Sequence, residues 1–113
     1  MISVLVDVFE VPAAEGVILT NRETPSEYRT LILNNLTSSD MNLKIEESVD
    51  GTAWTTVGVV FTLAVSESAV KQITSLNMIR VKASGTSEDG KDLLITLLRT
   101  QIDATHVWPN VVL

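Results

Sequence analysis

The sequence predicts an all-β fold: a single antiparallel β-sandwich, Ig-like, of seven to eight strands with an extended C-terminal segment. Three observations predict it. Short runs of alternating or β-branched apolar residues recur along the chain, each bounded by Gly, Pro, Asn, Asp or Ser. Two Asp-Gly pairs, Asp50-Gly51 and Asp89-Gly90, sit between such runs and suit the positive φ of tight turns. No sustained helical period, heptad or solenoid-length repeat is present. The 113 residues fit one domain, divided as a sandwich over 1–100 and a tail or final strand over 101–113. The paired cysteines that flank a tryptophan in antibody domains are missing, so a jelly roll or small barrel stays open as the arrangement.

The elements follow in order. Residues 2–11 alternate, with Ile2, Val4, Val6 and Val8 on one face and Ser3, Leu5, Asp7 and Phe9 on the other. Pro12 ends that run because it has no N–H to give a ladder. Residues 17–20 form a short second strand, and 21–26 a polar turn containing Pro25. Residues 28–34 are a third strand. Residues 36–40 are a loop of side chains suited to bonding their own backbone. Residues 43–57 read as a β-hairpin about Asp50-Gly51, with Trp54 as its large apolar plug and the second arm running to about Leu63. Residues 64–76 are ambiguous; Val70 and Ile73 favour a strand over 69–73 against a helical turn. Residues 77–83 form a strand, 84–91 a long hairpin loop, and 92–100 the last regular strand.

Composition narrows the function. The net charge of −6, with no basic cluster, disfavours a phosphate backbone as partner, so no nucleic acid is expected. Cysteine is absent, which removes disulfides and thiolate metal sites. Residues 1–3 lack a basic start, and Asp7 and Glu10 interrupt the apolar run, so no secretory leader is read. No apolar run reaches membrane-spanning length, and no membrane partner is expected.

Candidate sites are few. His106, the one histidine, lacks a recognisable nucleophile and reads as exposed or as part of an interface. Glu46 and Glu47 are strand neighbours, so they point to opposite faces and do not pair across a glycosidic bond; one is expected in solvent and the other at an edge or interface. Glu88, Asp89 and Asp92 crowd one loop but lack the spacing of a twelve-residue calcium loop, and read as a solvated turn. Asn35-Leu36-Thr37 fits a glycosylation acceptor. Ser48, Asp50, Gly51 and Trp54 resemble the Asp-box of sialidase-type propellers, one residue short; that box is itself structural. No enzyme, cofactor or metal is expected.

Two stretches are too apolar for a free surface. Residues 92–99 are apolar on both sides, with Leu93, Ile95 and Leu97 facing one way and Leu94 and Leu98 the other, as Leu5 and Phe9 stand opposite the valines in the first strand. A sheet in a two-layer sandwich buries only one face, so something covers the second. The tail carries Val107, Trp108, Val111, Val112 and Leu113. This is the candidate partner interface: the segment is either a final strand at home or one added to a neighbour's sheet.

Leu31-Ile32-Leu33-Asn34-Asn35, the run from Ile45 to Trp54, Phe61-Thr62-Leu63 and Ile79-Arg80-Val81-Lys82-Ala83-Ser84-Gly85 together resemble the small β-sandwich virion proteins of tailed bacteriophages. The resemblance implies a non-enzymatic structural protein, of the head decoration (cement) type, on the outer capsid surface. The implied partners are the major capsid protein or other virion subunits, with a homo-oligomer possible. The alternatives are a carbohydrate-binding or host-adhesion module, and a tail or neck completion protein.

Overall fold

The computed structural model describes residues 2–22, 29–74 and 76–100. Nine strands appear among them: β1 (Ile2–Phe9), β2 (Gly16–Asn21), β3 (Arg29–Asn35), β4 (Met41–Ser48), β5 (Thr55–Thr56), β6 (Phe61–Leu63), β7 (Ser68–Ile73), β8 (Met78–Ser84) and β9 (Leu93–Thr100). They form two sheets, with β1-β9-β3-β7 in one and β2-β8-β4-β5 in the other, where β6 also pairs with β4. All pairings are antiparallel. The expected sandwich is present. Its connectivity is of the jelly-roll kind: each connection crosses to the opposite sheet except those that join β4, β5 and β6. The count rises from eight to nine because the strand expected through residue 63 breaks at Gly58, whose φ is 73°.

The alternation read from the sequence builds the core. Leu31 and Leu33 of β3 and Leu93, Ile95 and Leu97 of β9 face Met41, Leu43 and Ile45 of β4 and Ile79, Val81 and Ala83 of β8; all are buried. These four strands are the inner pairs of their sheets, so each core side chain has neighbours on both sides as well as across. Arg29, at the end of β3, is also buried. Its guanidinium donates to Asn21 Oδ1 at 2.9 Å and to the Asn77 carbonyl.

The hairpin expected about Asp50-Gly51 is present as the antiparallel pair β4–β5, with a longer turn, and the one expected about Asp89-Gly90 is not. Gly51 and Gly90 do take positive φ, 80° and 82°. But β4 ends at Ser48 and β5 begins at Thr55, so six residues separate the paired strands. Asp50 Oδ1 organises that loop, accepting from the N–H groups of Thr52 (2.8 Å) and Ala53 (3.1 Å). Residues 85–92 carry the chain from one sheet to the other, because β8 and β9 do not share a sheet. Asp92 fixes that crossing, taking the Val11 N–H at 2.9 Å and the Glu88 N–H at 3.0 Å. Asn35 pins the β3–β4 loop: its amide donates to the carbonyls of Ser39, Leu63 and Ala64, and its oxygen accepts from Thr37. A buried amide so engaged is no glycan acceptor.

Candidate assembly surface

The two sheets present opposite chemistry outward. On the β2-β8-β4 sheet the outer residues are charged. Glu46 lies across from Arg80 in the ladder and accepts from its Nε at 2.7 Å. Lys44 Nζ stands 3.6 Å from Glu46 and 3.1 Å from Glu15, and Lys82 Nζ 3.8 and 3.6 Å from the same two carboxylates. Burial alone would raise the Glu46 pKa. The Arg80 hydrogen bond and the Arg80, Lys82 and Lys44 charges outweigh it and hold it below the ordinary range. Trp54 lies over the Arg80 guanidinium at 4.3 Å, donating its indole N–H to the Gly51 carbonyl. It is half-buried and outside the core, so the expected apolar plug is instead a lid on a charge. Glu46 and Glu47 do take opposite faces, but Glu46 is buried rather than solvated, and Glu47 accepts from Asn77 at 2.9 Å.

The β1-β9-β3-β7 sheet carries an outer face that is apolar on the β1 and β9 side and mixed towards β7. One rung runs Val6, Thr96, Ile32, Val70; the next runs Val4, Leu98, Thr30, Gln72; the third runs Val8, Leu94, Asn34, Ser68. Val4, Val6 and Val70 are 54%, 57% and 66% exposed. Leu94 and Leu98 are partly buried, so the second apolar side of β9 expected to need cover is not fully covered in the single chain.

β1 is the edge of that sheet and is open on its inner side as well. Leu5 is 42% exposed although its ladder partner Leu97 is fully buried. Asp7 is exposed opposite buried Ile95. The facing sheet therefore does not reach over the middle of β1. The Phe9 carbonyl accepts from Asp92 N–H on the β9 side. By alternation, the N–H and C=O groups of Val4, Val6 and Val8 point away from β9. Asp7 Oδ1 takes the Val8 N–H at 2.8 Å, which leaves Val4 and Val6 as the stretch of ladder with no partner strand among the described residues. The opposite edge, β7, is guarded differently. Lys71 turns to the inner side, opposite buried Leu31, and covers the Phe61 ring at 4.2 Å. An inward charge of that kind discourages strand addition.

The other sequence candidates do not converge. Glu88 accepts from Ser38 N–H at 3.0 Å, Asp89 from Lys91 N–H at 2.9 Å, and Asp92 is buried on its own donors. Among the described residues, no three acidic or histidine side chains gather as a metal site would require. Clefts of about 190 and 230 Å³, one beside Asp50 and one between Ile45, Val59, Phe61 and Ile73, are smaller than a usual small-molecule pocket. His106, Val107, Trp108, Val111, Val112 and Leu113 lie outside the described residues. What sequence reading missed was the burial of Glu46 and Arg29 and the identity of the outward face. Only the two-sided apolar pattern of β1 and β9 signalled the last of these.

No family model matches the chain, and no curated protein matches it. Solved structures do. A chain from the work "Bacillus endospore appendages form a novel family of disulfide-linked pili" has a TM-score of 0.65 at 16% identity, over 91% of this chain and 88% of that one. PirA has a TM-score of 0.51 at 8% identity, over 86% and 90%. A mitogen derived from Yersinia pseudotuberculosis has a TM-score of 0.48 at 16% identity, over 91% and 87%. The first two likenesses show a shared sandwich fold. They also correct the phage resemblance: these two neighbours are an endospore appendage protein and PirA, and neither is a capsid decoration protein. The virion role and the outer-capsid location are withdrawn with it.

Proposed function

We propose that this chain is a non-enzymatic structural subunit that joins to copies of itself in an appendage of pilus type. One observation carries the reading: the apolar outer face of Val4, Val6, Val8, Leu94, Leu98, Ile32 and Val70 runs to the open edge at β1. Contiguous apolar surface of this kind is costly to leave in water and marks an interaction site. Covering the exposed parts of Val4, Val6 and Val70 contributes on the order of 3 kcal/mol before the cost of association. The likeness to a spore appendage protein supports the same reading. The chemistry of joining must differ, because that family is described as disulfide-linked and this chain has no cysteine. Disulfides cannot join copies of this chain, and burial of the apolar face supplies the contact.

Light scattering and negative-stain microscopy on the purified chain test this across a concentration series. The expected result is growth into chains or filaments that a reducing agent leaves intact. A protein that stays monomeric at every concentration overturns it.

A further inference from the structure

The open edge of β1 and the apolar residues after β9 meet at one end of the same sheet. Thr100, the last residue of β9, pairs with Ile2, the first of β1. Both sides of β9 are already occupied, by β1 and β3. The chain beyond Thr100 therefore starts from the Ile2 end of β1. It includes Val107, Trp108, Val111, Val112 and Leu113. We infer that residues 101–113 of one copy add as an antiparallel strand to the open side of β1 in the next copy. This deepens the assembly reading above and rests on it.

Reach and direction both favour a neighbour. Thirteen residues extend to about 43 Å, and covering eight residues of β1 takes about 26 Å, which leaves roughly five residues to cross between copies. Within one molecule the segment would have to pass over the start of β1 and then run parallel to it, since β1 and β9 are antiparallel. A second copy can accept it antiparallel, the slightly stronger pairing and the one used throughout both sheets. The incoming strand meets the N–H and C=O groups of Val4 and Val6, unpaired among the described residues, and its apolar side chains find Leu5 on one side and Val4 and Val6 on the other. Pro109 is compatible with an added outermost strand, where one missing N–H is tolerated. The contact is heterologous: each copy gives one segment and receives one. Such a contact propagates without closing, unless its rotation happens to complete a ring.

The experiment uses two variants of the full chain. Val6→Pro blocks the receiving edge while sparing the β9 ladder, because the Val6 N–H points away from β9. Trp108→Asp with Val111→Asp blocks the giving segment. Each variant alone should raise the concentration needed for assembly about tenfold or more, equivalent to ~1.4 kcal/mol per junction. Mixed one to one, the two should form a heterodimer that grows no further, since only one productive junction remains. Circular dichroism checks that each keeps its β-structure, and Val6→Lys replaces Val6→Pro if the proline unfolds the strand. If the Trp108→Asp, Val111→Asp chain assembles like the parent, the segment is not the joint, and this inference fails while the assembly reading stands. A mixture that stays monomeric also overturns it. A parent chain that is monomeric throughout, and melts lower when Trp108 and Val111 are changed, places the segment on its own molecule and overturns both readings.

Discussion

The outer faces of the two sheets differ more than the sheets themselves. Inward, both present the same material: leucine, isoleucine, valine and methionine in strict alternation, buried between the layers. Outward, one is closed and the other open. On the β2-β8-β4 sheet, Glu46 and Glu15 sit among Lys44, Arg80 and Lys82, and every one of these charges has a partner within 4 Å. That face is satisfied within the chain and offers little to a partner. On the β1-β9 sheet, valines and leucines lie where a monomer gains most from charge. The contrast teaches that the inner faces supply the core, which leaves each outer face free to serve a different end.

The largest expected effect separates inner from outer on a single strand. Leu97 is fully buried and Leu98, its neighbour, partly buried. Leu97→Ala should cost about 2–5 kcal/mol in chemical denaturation of the monomer. Val6→Ser and Val70→Ser, on the outer face, should stay within about 0.5 kcal/mol of the parent, yet suppress assembly in light scattering. If the outer substitutions destabilise the monomer as strongly as the inner one, that face is part of the core and the contrast breaks.

Asp92 sharpens the comparison from the crossing between the sheets. Removing its carboxylate strands the buried N–H of Val11 and frees that of Glu88, so Asp92→Ala should cost about 2–4 kcal/mol. Burial alone would raise the Asp92 pKa. The N–H groups of Val11 and Glu88, the Ser87 hydroxyl and the Asp89 N–H reverse that, and the net shift is downward. Glu46 is also lowered. A depressed carboxylate stabilises the fold above its ordinary pKa, here 3.8 and 4.5, and loses that contribution as pH falls through the lower folded value. Thermal melts should therefore be level near neutrality and fall on acidification below those values. Asp92→Asn should flatten the acid limb, and an unchanged limb would deny Asp92 its role.

How much of this was legible follows from the range of each signal. The cores of β3, β8 and β9 were legible, because alternation is local and survives any connectivity. The glycine conformations at Gly51 and Gly90 were legible for the same reason. Which strand follows each turn was not. An Asp-Gly pair sets a backbone angle, and whether the chain then pairs beside itself or crosses to the other sheet is decided by distant strands. Trp54 misled because a large ring reads as core, while the Arg80 beneath it arrives only through the β4–β8 register. Glu46 misled likewise, since nothing nearby in sequence shows three cations gathering on it. For β1, alternation shows two apolar faces and register alone assigns one outward. The Asp7 and Leu5 side turned out to share the inner side, although it is the less apolar of the two.

The smallest expected effect is also the one that tests the two faces together. Glu46→Ala removes the acid on which three cations rest, and partial exposure of those cations limits the cost to about 1–2 kcal/mol. Sodium chloride should shrink that difference, because ions screen the same charges whose loss it reports. Assembly should respond oppositely to salt. Sulfate is excluded from apolar surface and strengthens its burial, so it should lower the concentration at which copies join. A titration of the parent chain with sodium sulfate, read by light scattering, separates the cases. Assembly that weakens as salt rises would make the charged face the joint and leave the valines of β1 as bystanders. Assembly that strengthens, with Glu46→Ala joining as readily as the parent, puts the contact on the apolar side.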